Sequence, residues 1–103
     1  MAAADTITGS AVVVDGDTLR VGEARVRLSG IDAPELSQCC GPEGREVACG
    51  TMAANWLRAR IQGRTVSCQV VDTDRYNRAV AVCRAGGEDI GGGLVTAGWA
   101  TAF

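Results

Sequence analysis

"ARVRLSGIDAPE", residues 24–35, decides how the rest of the chain is read. Its first half alternates. Val26 and Leu28 fall on one side and Arg25 and Arg27 on the other, the period-2 pattern of a strand with one face in a core. Its second half sets two carboxylates, Asp32 and Glu35, around Pro34. A strand that only has to be stable gains nothing from such an ending, because neighbouring carboxylates repel unless a cation or a proton intervenes.

Upstream, "TITGSAVVV" (residues 6–14) is β-branched and apolar and reads as one strand. "DGDT" (15–18) is a tight turn in which Gly16 is available for a positive φ. "TLRV" (18–21) then joins the alternating segment through a hairpin at "GEA". Downstream, residues 36–47 are polar and irregular, and "ACGTMAANWLRARIQG" (48–63) shows helical spacing. Met52, Trp56, Leu57 and Ile61 share one broad face there, with Trp56 as core, and Gly63 can end the helix. "RTVSCQVV" and "RAVAVCRA" read as strands flanking the loop "DTDRYNR", where Asn77 suits a left-handed position. "DIGGGLVTAGWA" predicts a last short helix capped by Asp89, weakened by three consecutive glycines. Three strands, a helix, two strands and a short helix make a mainly β, α+β chain. The expected architecture is a five-stranded Greek-key OB-fold barrel with its helix between strands 3 and 4. At 103 residues there is room for one domain, 1–103.

Composition narrows the chemistry. Histidine is absent, which excludes Ser-His and Cys-His nucleophile pairs and a histidine-ligated zinc. All ten basic residues are arginine, the side chain suited to two-pronged phosphate contact, while the net charge of −2 argues against a general nucleic-acid coat. No apolar run approaches the roughly 18 residues of a transmembrane helix, so no membrane partner is expected. The opening "MAAAD" resembles the remnant of a signal cleavage site. The five cysteines match no common zinc spacing and are read as disulfides. Cys68 and Cys83 lie equally far from the middle of "DTDRYNR", as cross-strand partners would. Cys40 and Cys49 would close a short loop before the helix, leaving Cys39 free. That pairing implies a periplasmic or secreted location; the alternative is five reduced thiols in a cytosolic chain.

Four acids then stand at predicted strand ends: Asp15 and Asp17 in "DGDT", Asp32 and Glu35 in "IDAPE". If these ends converge, the all-oxygen donors favour a hard cation over zinc. Arg27 leads into "IDAPE", and Arg78 closes "DRYNR" with Asp74 as its available partner. Two guanidinium groups and a cation would offset a phosphodiester and the charge that builds on a five-coordinate phosphorus.

The set "VVDGDTLRV", "VRLSGIDAPE", "DRYNR" with "AVAVC", and "LVTAGWA" closely resembles the thermonuclease family, the staphylococcal-nuclease-like OB-folds. The likeness runs from about Val12 to Ala100, with the motifs in the family's order. It implies a calcium-dependent phosphodiesterase that cuts DNA and RNA and leaves 3′-phosphate ends. Carried over by residue, it implies Asp17, Asp32 and the Ala33 main-chain carbonyl as metal ligands, with Asp15 behind them. Glu35 is implied as the group that positions or deprotonates the attacking water, and Arg27 and Arg78 as the phosphate-binding pair. Calcium is the implied cofactor, with magnesium and manganese as alternatives. Ala33 stands where the family often has threonine, and Asn77 where "DRYGR" has glycine. Some bacterial members carry cysteine pairs at positions like these. The family's long last helix has no counterpart before Phe103, so the expectation is a truncated or minimal member, a monomer or one that self-associates through Trp99 and Phe103. The alternatives are an OB-fold that binds nucleic acid without cutting it, and a domain that takes up calcium for stability alone.

Overall fold

The alternation of residues 24–28 is realised in a computed structural model that describes residues 5–102. Residues 1–4 and Phe103 lie outside the described residues, and with them most of the "MAAAD" segment and one member of the expected C-terminal patch. The chain runs β1 (Thr6–Gly9), β2 (Ala11–Asp15), β3 (Thr18–Val21), β4 (Ala24–Leu28), β5 (Ile31–Asp32), α1 (Cys49–Ile61), β6 (Val66–Thr73), β7 (Ala79–Ala85), β8 (Glu88–Asp89), α2 (Ile90–Thr96) and β9 (Thr101–Ala102). It is a mixed α+β fold, strands predominating.

The segment expected as one strand over 6–14 is two strands, parted at Ser10. The sheet order is β1-β6-β7-β4-β3-β2, so its path starts and finishes on consecutive pieces of chain. Pairing is antiparallel except between β4 and β7, which run parallel with Val26 opposite Ala79. The hairpin turn at Gly22 and Glu23 brings Val21 opposite Ala24, and Gly22 takes the positive φ of 61° that the turn requires. Asn77 sits at φ 63°, as its place in the β6–β7 loop predicts.

Alternation sorts each strand. Val26 and Leu28 are buried on β4, as are Val66 and Cys68 on β6 and Ala81, Cys83 and Ala85 on β7. Leu19, Leu57, Ile90 and Leu94 complete a continuous core. Burying each such aliphatic side chain is worth about 1.5–3 kcal/mol. The seam of α1 differs from the expected one. Gly50, Ala53, Ala54, Leu57 and Ile61 are buried, Trp56 is half-buried, and Met52 is exposed. The reason is distance: the first turns of α1 meet the "DGDT" turn where Gly16 faces Ala53, and only small side chains fit there. α2 is capped as predicted, the Gly92 amide donating to Asp89 Oδ1 at 3.1 Å.

Both expected disulfides are present, and Cys39 is free and exposed. Cys68 and Cys83 stand directly opposite in the β6–β7 ladder, with Cα atoms 4.0 Å apart. Cys40 and Cys49, 5.6 Å apart at Cα, tie the irregular segment to the first residue of α1.

Candidate active site

Asp17 reaches the site because the "DGDT" turn delivers it to the start of β3. There Thr18 pairs with Arg27 of β4, and the Leu28 amide donates to the Asp17 carbonyl at 2.8 Å. The convergence therefore runs through β3; β2 and β4 are not neighbours in the sheet. Gly16 does not adopt the expected positive φ. Its role is close approach: a Cβ there would lie 2.9 Å from the Ala33 Cβ and 3.0 Å from the Ala53 Cβ. The turn, the "IDAPE" loop and α1 thus meet at a point with room for hydrogen alone.

Asp15, Asp17, Arg27, Asp32, Ala33, Glu35 and Arg78 line one cavity of about 220 Å³. Every residue that the sequence singles out for metal, water or phosphate is among them. Arg27 Nη1 meets Asp17 Oδ2 at 2.9 Å, and its Nη2 donates to the Ile31 carbonyl at 3.2 Å and lies 3.9 Å from Asp32 Oδ1. The Ala33 amide donates to the same Asp17 oxygen at 3.1 Å. Arg78 Nε meets Asp74 Oδ2 at 2.7 Å, and its Nη1 reaches the Thr18 hydroxyl at 3.4 Å. That hydroxyl in turn donates to Asp17 Oδ1 at 3.2 Å.

Two residues carry more than the sequence reading assigned them. Thr18, buried, links Asp17 to Arg78, and its signal was the last letter of "DGDT". Asp74 accepts from the Tyr76 and Arg78 amides as well as the Arg78 guanidinium, so it aims that side chain as well as balancing its charge. Gly50 was missed. A Cβ there would overlap the Glu35 carbonyl oxygen, so this glycine lets the loop carrying Glu35 rest on the start of α1.

The acids differ in their surroundings. Burial pushes the Asp15 carboxyl above its ordinary value, and the adjoining Asp17 carboxylate adds to the effect. Burial would also raise Asp17, but its contacts with Asp15, the Ala33 amide and Arg27 outweigh it and hold Asp17 lower. Of the two, Asp15 takes up a proton first. Asp32 is largely exposed, and the Glu35 carboxylate enters no ion pair or hydrogen bond among the described residues.

The donors fit a hard cation in kind. Three aspartates and a main-chain carbonyl offer only oxygen, and four carboxylates against two guanidinium groups leave a local excess of two negative charges. They are not gathered into a ligand cage. Among the described residues no three His, Cys, Asp or Glu side chains group closely enough to hold an ion, and Arg27 stands between Asp17 and Asp32.

Comparison with known proteins gives a family. The model of the staphylococcal nuclease homologue family matches residues 25–103. Succinoglycan biosynthesis protein ExoI of Rhizobium meliloti is 40% identical over 99 residues, covering 93% of this chain and 52% of that protein. A probable endonuclease LCL3 of Schizophyllum commune is 34% identical over 88 residues, 76% of this chain and 29% of the relative. A probable staphylococcal-like nuclease CAN1 of Oryza sativa is 35% identical over 65 residues, 63% of this chain and 17% of the relative. The chain thus spans about half of the first of these and less than a third of the other two.

Proposed function

The chain belongs to the staphylococcal nuclease homologue family, and from that premise we propose that it is a nuclease hydrolysing phosphodiester bonds of DNA and RNA. The observation that carries the reading is the single cavity in which four acids meet Arg27 and Arg78.

Asp17, Asp32 and the Ala33 carbonyl would hold calcium, or magnesium or manganese in its place, with Asp15 behind them. Such an ion, when bound, supplies positive charge against a phosphate oxygen. The chain's own groups do the rest. Glu35, exposed and unpaired among the described residues, orients a water and accepts its proton. Arg27 and Arg78 contact the non-bridging oxygens, and their grip strengthens as charge builds on the five-coordinate phosphorus. A bond forms from the water oxygen to phosphorus, the bond to the 5′-oxygen breaks, and that oxygen leaves with a proton from solvent. The phosphate stays on the 3′ side. No covalent intermediate with the protein is needed.

The same proposal takes residues 1–103 as one domain, monomeric or self-associating near Trp99. It also takes the split strand 6–15 as one bent strand of a five-stranded Greek-key OB barrel, a reading supported by a sheet path that starts on β1 and finishes on β2. The two disulfides favour a periplasmic or secreted setting.

Glu35→Gln tests the reading, because Glu35 bears no load in the fold. The variant is expected to melt where the native chain melts and to cut single-stranded DNA about a hundredfold or more slowly. Chelation should abolish cutting by both. Near-native rates in Glu35→Gln would reject the assignment. One observation favours a second reading, an OB-fold that binds without cutting: both arginines are already ion-paired, Arg27 to Asp17 and Arg78 to Asp74. Oligonucleotide binding with no cleavage under any of the three metals would decide for it.

A further inference from the structure

A second cavity adjoins the acid–arginine cluster. It has a volume of about 270 Å³ and shares Asp32 and Ala33 with the first. Gln38, Trp99 and Thr101 help to close it. Its base is fixed by the short β5–β9 ladder, where Asp32 pairs with Thr101 and the Thr101 hydroxyl donates to the Asp32 carbonyl at 3.4 Å. Trp99 is anchored, not loose. Its amide donates to the Leu94 carbonyl of α2 at 2.9 Å, its half-buried side chain packs against the core, and the residue lines the cavity. Gln38 is anchored too. Its amide donates to the Glu35 carbonyl at 2.8 Å, and its Oε1 accepts from the Glu35 amide at 3.2 Å. The side-chain Nε2 protons have no partner among the described residues.

The lining selects the occupant by charge. Among the described residues it includes no arginine, and the one charged side chain is the exposed carboxylate of Asp32. Such a lining offers no cationic side chain to hold a second phosphate. A flat, uncharged group with hydrogen-bonding edges would be accepted, stacked on indole and met by an amide and a hydroxyl. We propose that this cavity is a nucleobase subsite, in which the base next to the phosphate held by Arg27 and Arg78 stacks on Trp99. Gln38 and Thr101 contact the edge of that base. The place of the phosphate rests on the nuclease reading; the stacking does not require cleavage.

The test uses the full chain with Trp56→Phe, so that fluorescence reports Trp99 alone, and Glu35→Gln to stop turnover, with calcium present. A cytosine-containing trinucleotide is titrated against the same trinucleotide lacking that base. The base-bearing ligand should quench Trp99 and bind about five- to a hundredfold more tightly, the range that aromatic–base stacking supplies. Trp99→Leu should erase that difference and Trp99→Phe should keep most of it. Gln38→Leu, at an exposed position the core does not use, should alter the ranking of the four bases. Equal affinity for the two ligands, or unchanged discrimination in Trp99→Leu, would overturn the proposal. Cleavage by the Glu35-containing chain is scored separately. Cutting without base discrimination leaves the nuclease and removes the subsite, and discrimination without cutting does the reverse.

Discussion

Arg27 holds Asp17 in the free protein and is assigned to phosphate during catalysis, and two substitutions separate these duties. In Arg27→Ala the buried Asp17 loses its charged partner, and roughly 1–3 kcal/mol of stability should go with it. Arg27→Lys keeps a positive charge but not the two-pronged donor. It should recover much of that stability, read by denaturant unfolding, while cleavage stays at least tenfold down. A lysine variant cutting at the native rate would remove Arg27 from the phosphate. Asp74 invites a pH experiment. Slight burial would raise its carboxyl, but hydrogen bonds from the Arg78 and Tyr76 amides and the Arg78 guanidinium hold it below the ordinary 3.8. A carboxyl depressed in the folded state binds fewer protons there than in the unfolded chain, so it adds stability above pH 3.8 that is lost as pH falls through the folded value. Asp74→Asn should flatten the acid limb of the stability profile below about pH 5 and leave the neutral region with a small offset. An unchanged acid limb would contradict the pairing.

At the scale of elements, what could be read from the sequence was whatever had a period or a motif. The alternation in residues 24–28 located β4 and the side of Arg27, and "DGDT", "IDAPE" and "DRYNR" named every other lining residue of the first cavity. What escaped was set by contact between segments distant in sequence. Nothing in "TITGSAVVV" says that its two halves pair with different strands, since β2 pairs locally with β3 while the partners of β1, in β6, lie far along the chain. Met52 has an apolar side chain at a helical spacing, yet the seam of α1 was set by how near β2 and the "DGDT" turn approach. Gly50 escaped for the same reason. Helix propensity predicts that Gly50→Ala stabilises by about 1 kcal/mol. The fold predicts the opposite, because the new Cβ would overlap the Glu35 carbonyl oxygen and crowd that of Leu36. The loop must lift from α1, at a cost of roughly 1–3 kcal/mol, and carry Glu35 with it. Unfolding and cleavage assays on Gly50→Ala should both show a loss; a gain in stability would mean that the loop does not rest there.

At the scale of the whole molecule, the two disulfides staple different things, and their removal should separate stability from activity. Cys68–Cys83 crosses the centre of the β6–β7 ladder with both sulfurs in the core, and it closes a loop of 15 residues. Constraining a loop of that size in the unfolded chain is worth about 3 kcal/mol. A fold of this length has a total stability of only about 5–15 kcal/mol. Cys40–Cys49 spans 9 residues, has an exposed loop around it, and joins that loop to α1 just beyond Glu35. It contributes less to the core but limits where the Glu35 segment can go, together with the Gly50 amide bonded to the Gln38 carbonyl at 3.0 Å. The double variant Cys68→Ala with Cys83→Ala should therefore unfold at markedly lower denaturant, and the chain that remains folded should cut DNA at close to the native rate. Cys40→Ser with Cys49→Ser should lose less stability and more activity, with the loss in kcat exceeding any change in KM, because the arginines assigned to phosphate, on β4 and beside β7, are untouched. Equal losses of stability and activity in the two variants would show that the molecule responds as one cooperative block and that neither staple is reserved for the site.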